Sequence, residues 1–166
     1  MNEAAAYGGI MTGGAIQNNT GHRGAAVNIY SDDRDKRAIF TLEDDGLITR
    51  NTGISANGNE FVEDNAAFHM IGGTVSANKA SKGGGICIVD SALQRGTAEY
   101  GTEFLMDGGV ISGNRAGTGG GIYSFANGSF LRSGKIINNT ATYSGGGLYS
   151  EGKALMVTAL PIYIIP

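Results

Sequence analysis

The chain has 166 residues, 41% hydrophobic and 16% charged, with a formal net charge of −3. This suits one ordinary domain with its own core and excludes wholesale disorder; with no lysine and arginine stripe to neutralise phosphates, nucleic acid is not an expected partner. Glycine is heavily over-used at 29 residues, while proline numbers two and cysteine one, so Cys87 supports neither an internal disulfide framework nor a Cys-rich zinc site.

At the N-terminus, MNEAAAYGG lacks a basic segment followed by an apolar one, and no signal peptide is expected within this chain. The first patterned unit is MTGGAIQNNTGHRGAAVNIY, residues 11–30. Its glycines alternate with Ile, Val and Tyr, which flexible linkers avoid. A degenerate second unit, FTLEDDGLITRN at 40–51, keeps an Ile and an Asn at the same spacing but loses the small-residue triplet that follows. The third unit, MIGGTVSANKASKGGGICIV at 70–89, and the fourth, MDGGVISGNRAGTGGGIYSF at 106–125, align with the first without a gap. A fifth, FLRSGKIINNTATYSGGGLYS at 130–150, joins them after a one-residue shift.

In every unit Ile or Val stands three residues before Asn: Ile16/Asn19, Ile48/Asn51, Val75/Asn78, Ile111/Asn114 and Ile136/Asn139, with Ile137 an alternative to Ile136. The Asn positions lie 32, 27, 36 and 25 residues apart, a period that signifies a solenoid. Apolar runs of three to five residues broken by Gly, Asn and Ser read as strands and turns. Three short strands in about 25 residues make one coil of a parallel β-helix, whereas a propeller blade needs roughly 40 or more. The predicted fold is therefore all-β: a right-handed single-stranded parallel β-helix of about five coils spanning residues 1–150, an uncapped fragment, with 151–166 a non-repeat tail or poor cap.

Strand alternation points Phe68, Met70, Phe104 and Met106 inward, with Phe130 continuing the aromatic ladder. Ile16, Ile48, Val75, Ile111 and Ile136 build an aliphatic ladder beside it. Asn19, Asn51, Asn78, Asn114 and Asn139 are expected to stack as an amide ladder at a corner, because an inward Asn offers a donor and an acceptor to the neighbouring coil. The glycine triplets precede the next strand where coils approach closely, and GAA at 24–26 suggests that only the first of the three must be glycine.

The runs GGGIY, GGTVSAN and GGVISGN resemble the repeats of the chlamydial polymorphic outer-membrane proteins, whose units are Gly-Gly-Ala-Ile and Phe-x-x-Asn, and similar repeats of adhesin-like surface proteins. The resemblance covers about residues 8–150, with Ile16, Ile48, Val75 and Ile111 where that family has Phe. It implies a pectin lyase-like right-handed β-helix, secreted or held at the cell surface or outer membrane, and acting in adhesion. It also implies neighbouring repeats of a longer chain, with no direct membrane insertion of this segment.

Two long insertions fall at one corner, SDDRDKRAI at 31–39 and DSALQRGTAEYGTE at 90–103, and solenoid insertions are where binding surfaces are commonly built. The candidate binding residues there are Asp32, Asp33, Arg95 and Tyr100. Tyr123 and Tyr149 form a partial aromatic row with Cys87 and Asn28, suited either to gripping a sugar or to packing between coils. Asp32, Asp33 and Asp35 are interrupted by Arg34, Lys36 and Arg37, His22 and His69 share no ligand spacing, and no metal or cofactor is expected. Asp44 and Asp45 are an acidic pair without an evident basic partner. The chain thus reads as a non-catalytic stalk or binding passenger for a host-cell or glycan ligand, the alternative being a fragment of a carbohydrate-active β-helix enzyme, a polysaccharide lyase or glycoside hydrolase.

Overall fold

The computed structural model describes residues 7–22, 25–31, 37–53, 60–63, 66–89, 102–126, 128–151, 155–157 and 163–165. These residues are all strand, turn and bend, and every strand pairing among them is parallel. The chain is a parallel β-solenoid.

Each coil visits four faces where three are expected. The first face stacks Tyr7–Met11, Ala38–Leu42 and Ala66–Met70 on the leading half of Glu103–Ser112, then that of Gly128–Ile137. The second face stacks Ala15–Gln17, Leu47–Thr49 and Thr74–Ser76 on the trailing halves of the same two long strands. A narrow third face carries Thr20–Gly21, Thr52–Gly53, a bridge at Lys79, Arg115–Thr118 and Thr140–Ser144. The fourth carries Val27–Tyr30, Glu60–Glu63, Ile86–Val89, Ile122–Phe125 and Leu148–Ser150. Those five rungs are separated by four complete turns, against an expectation of about five coils.

The corner between the second and third faces has a local cause. The residue before each ladder Asn takes the left-handed conformation: Asn18, Arg50, Ala77, Gly113 and Asn138 all have φ between 53° and 64°. That turn carries the following Asn inward, and four of the five Asn side chains are buried. Asn19, on the first rung, is exposed.

Inside the coil, Ile48, Val75, Ile111 and Ile136 form a fully buried row, and Ile136 rather than Ile137 is the register partner of Ile111. Ile16 completes the row as a half-buried end member. Phe40, Phe68 and Phe104 stack with centroid separations of 6.0 and 5.6 Å, beside the buried row Leu42, Met70, Met106 and Leu131. Burying side chains of this size is worth roughly 1.5–3 kcal/mol each, so this axial core is the main source of stability.

Phe130 does not belong to the aromatic ladder. Phe104 pairs with Ser129, and Phe130 pairs with Leu105 in the outward row. The 25-residue step that relates Asn114 to Asn139 also relates Phe104 to Ser129, whereas Phe130 stands one residue further on. Because strand side chains alternate, that one residue turns Phe130 outward. Leu131 takes the inward place beneath Met106, and the buried Ser129 hydroxyl pairs with that of Ser124 at 2.8 Å.

The triplets also need more glycine than GAA at 24–26 implies. Gly119, first of its triplet, has φ +65°. Gly120 is confined differently: a Cβ there would lie 2.4 Å from the Gly146 carbonyl oxygen and 2.5 Å from that of Thr140. Within the stack, the next coil's backbone occupies the space of a side chain.

In the tail, Leu155–Val157 pairs with Ser129–Leu131 and Tyr163–Ile165 pairs with Lys135–Ile137, both parallel and in register. The tail loses the Gly and Asn pattern, yet its backbone continues the first and second faces by one rung.

Candidate functional site on the outer faces

The insertion corner joins the fourth face to the first. Asp32, Asp33, Arg95 and Tyr100 lie outside the described residues, but the closing part of each insertion is described, with Arg37 in the first and Glu103 in the second. The two ends meet. Glu103 accepts a hydrogen bond from the Arg37 guanidinium at 3.2 Å through one carboxylate oxygen and contacts His69 Nε2 at 3.1 Å through the other. The three side chains are about a quarter exposed. Ala67 is the register partner of both Glu103 and Ile39, and this small residue in the intervening rung leaves room for Glu103 to reach Arg37.

The hydrogen bond with His69 lowers the Glu103 carboxyl below the usual range, burial opposes this, and Arg37 adds to the lowering. Glu103 is therefore held as a carboxylate. Such a group can orient a hydroxyl or accept a hydrogen bond, and is a poor general acid near neutral pH.

Spacing alone did not single out this cluster, since Arg37, His69 and Glu103 are spread over 66 residues. The signal that finds it is the repeat alignment. Leu105 is the register partner of His69, and Glu103 lies two residues before it on the same face, within diagonal reach across adjacent rungs.

The second candidate lies on the fourth face, where the backbones of Asn28, Phe61, Cys87, Tyr123 and Tyr149 follow one another in register. Tyr123 and Tyr149 stack at 5.5 Å and 10°. Tyr123 is only 4% exposed and packs with buried Cys87, alongside half-buried Val89, Phe125 and Tyr149. Its hydroxyl donates to Glu151 Oε2 at 3.0 Å, and Lys82 Nζ lies 4.7 Å from the ring centroid. Burial first, then the bond to Glu151, pushes the phenol above its ordinary range. The ring is thus not open for a sugar to stack on: of the two uses expected of this row, Tyr123 serves packing between coils.

The remaining acidic pair, Asp44 and Asp45, occupies the turn between the first and second faces. Asp44 has φ +46°, and its carbonyl accepts a hydrogen bond from the Gly73 amide at 2.8 Å. Among the described residues no group of three or more His, Cys, Asp or Glu could hold a metal ion, and no helix is long and apolar enough to cross a membrane.

The amide row is structural. Asn51, Asn78 and Asn114 each donate from Nδ2 to the next Asn Oδ1 at 3.0–3.1 Å, and that oxygen also accepts the preceding Asn's backbone N–H. The second Nδ2 hydrogen of Asn51, Asn78, Asn114 and Asn139 goes back to the carbonyl of Ile16, Ile48, Val75 and Ile111 respectively. Asn19 supplies the first rung, donating to Asn51 through N and Nδ2. All four hydrogen-bonding places of the inner carboxamides are filled, with none left to hold a ligand.

Compared with protein-family models, with curated proteins and with solved structures, the chain gives no match in any of the three.

Proposed function

We propose that this chain is a non-catalytic repeat segment of a secreted or cell-surface adhesin-like protein, serving as a stalk or binding passenger. One observation carries the reading. The coil interior holds aliphatic, aromatic and fully hydrogen-bonded amide rows, while the charged side chains whose placement is described stand on outer faces and corners. A scaffold of this kind spends its interior on rigidity and offers function along its length, as repeat proteins do. The resemblance of GGGIY and GGVISGN to surface-protein repeats supports the same reading.

The test is adhesion. Beads coated with the whole chain are expected to attach to host cells and to leave polysaccharides intact. Failure to attach to any cell or glycan surface would remove the binding role and leave only the stalk.

A second reading, a fragment of a carbohydrate-active β-helix enzyme, is favoured by one observation, the convergence of Glu103, Arg37 and His69 at the base of both insertions. Release of oligosaccharide by the chain, lost in Glu103→Gln, would replace the first reading by the second.

A further inference from the structure

We infer that the first rung of the solenoid is a docking edge for a coil of a neighbouring repeat segment, one that carries Ile or Val three residues before Asn; this rests on the repeat-segment part of the proposed reading and names the partner chemistry.

The first observation is an unfinished hydrogen-bond pattern. Toward its preceding coil, Asn51 accepts the N–H and Nδ2 of Asn19 through Oδ1, and its second Nδ2 hydrogen goes to the Ile16 carbonyl. Asn78, Asn114 and Asn139 each repeat these three bonds toward the coil before them. The Asn19 side chain bonds only toward Asn51. Among the described residues nothing donates to its Oδ1 and nothing accepts its second Nδ2 hydrogen, and it is exposed where the other four are buried. The repeat fixes the complement: an Asn whose N–H and Nδ2 reach Asn19 Oδ1, preceded by an Ile or Val whose carbonyl takes the remaining hydrogen.

The second observation is that the apolar rows stop at the same edge. Ile16 is half-buried, although Ile48, Val75, Ile111 and Ile136 are 0% exposed, and Met11 is half-buried beside fully buried Leu42. Gly9 is the register partner of Phe40, so the first rung adds no side chain to the column Phe40, Phe68 and Phe104. A Cβ at Gly9 would stand 3.3 Å from the Phe40 ring, which is itself half-buried where Phe68 and Phe104 are buried. A coil with Phe ahead of its Ile, as Phe104 stands ahead of Ile111, covers all three.

The backbone is open too. Among the described residues Tyr7–Met11, Ala15–Gln17, Thr20–Gly21 and Val27–Tyr30 all pair on one side only. Such an edge is a template for an added strand, with main-chain bonds giving affinity and side-chain places giving specificity.

The opposite end of a second copy does not supply this complement. Tyr163–Ile165 lies along Lys135–Ile137, with Ile164 over Ile136, so the Ile136 and Asn139 rung is one step below the surface that would meet Asn19. The occupant is therefore a coil of another repeat segment.

The test uses the intact chain and a labelled synthetic peptide copying residues 104–125, which carries Phe104, Ile111 and Asn114 at the required spacing. Saturable binding is expected, with hydrogen-exchange protection gained over residues 7–21 and a scrambled peptide not bound. Asn114→Ala in the peptide, or Asn19→Ala in the chain, is expected to weaken binding about tenfold. The inference is overturned if the peptide does not bind, if either Ala variant binds as wild type, or if protection falls only on residues 140–150. Self-association of the chain that is lost in Asn19→Ala would replace the stated occupant by a second copy. Cell attachment without peptide binding would sink this inference and leave the adhesin-like reading standing, and peptide binding with oligosaccharide release would do the reverse.

Discussion

Asn78 donates through both its backbone N–H and its Nδ2 to the single Oδ1 of Asn114, at 2.9 and 3.1 Å, across 36 residues of chain. Replacing Asn114 by Ala strands those two donors and the Val75 carbonyl, and removes one of the two bonds that Asn139 Oδ1 accepts, the other coming from the backbone N–H of residue 114. With each stranded group costing about 1–3 kcal/mol and some relaxation, Asn114→Ala is expected to destabilise by about 3–5 kcal/mol. Asn19→Ala, at the exposed end of the row, is expected to cost about 1 kcal/mol. Chemical denaturation of both variants checks this, and equal losses would contradict the ladder.

The two phenylalanines of the long strands separate in the same kind of experiment. Phe104 is fully buried and Phe130 sits in the outward row. Phe104→Ala is expected to cost about 3–5 kcal/mol by opening a cavity, and Phe130→Ala about 1 kcal/mol or less. The reverse order would show that the strand is displaced by one residue.

Much of the scaffold is legible in the sequence because the solenoid repeats one decision at each turn. Ile111 and Asn114 recur as Val75 and Asn78, and the interval between copies is the length of a coil. Phe130 leaves the predicted ladder for a physical reason: a one-residue difference in spacing is invisible to a hydrophobic pattern and decisive in a strand. The glycine requirement at Gly120 was equally hidden, because the atoms that exclude its Cβ belong to the next coil. The clustering of Glu103 with His69 and Arg37 depends on register between coils of unequal length, so composition sees only scattered charges.

Glycine positions give the sharpest local contrast. Gly120→Ala is expected to cost about 3 kcal/mol or more, since its Cβ meets two backbone carbonyl oxygens that cannot both withdraw. At Gly13 a Cβ meets nothing within 4 Å, so Gly13→Ala is expected to stay within about 0.5 kcal/mol of wild type. Thermal melts of the pair check the stacking of the triplets.

The two shifted groups act at opposite ends of the pH scale. Glu103 is lowered, so its contribution is present above the carboxyl's unfolded value of about 4.3 and is lost as pH falls through the folded value. In Glu103→Gln this acid-side loss is expected to disappear. Tyr123 is raised, so its contribution is present below the phenol's unfolded value of about 10 and is lost as pH rises beyond it. In an alkaline absorbance titration, Tyr123→Phe is expected to lose an ionisation that wild type shows above the ordinary phenol value of about 10.

Every one of these statements rests on which residue of one coil lies over which residue of the next, and the chain's single cysteine allows a direct measurement. Cys87 and Tyr123 are register partners on adjacent rungs, and Tyr149 lies one rung beyond. Adjacent rungs place Cα atoms ~4.8 Å apart, within the range a disulfide spans, and two rungs place them beyond it. Under mild oxidation Tyr123→Cys is expected to form an intramolecular disulfide with Cys87, mapped by peptide mass, and Tyr149→Cys is expected to form none. A cross-link in Tyr149→Cys but not in Tyr123→Cys would contradict the register on which the solenoid, its ladders and its outer faces are built.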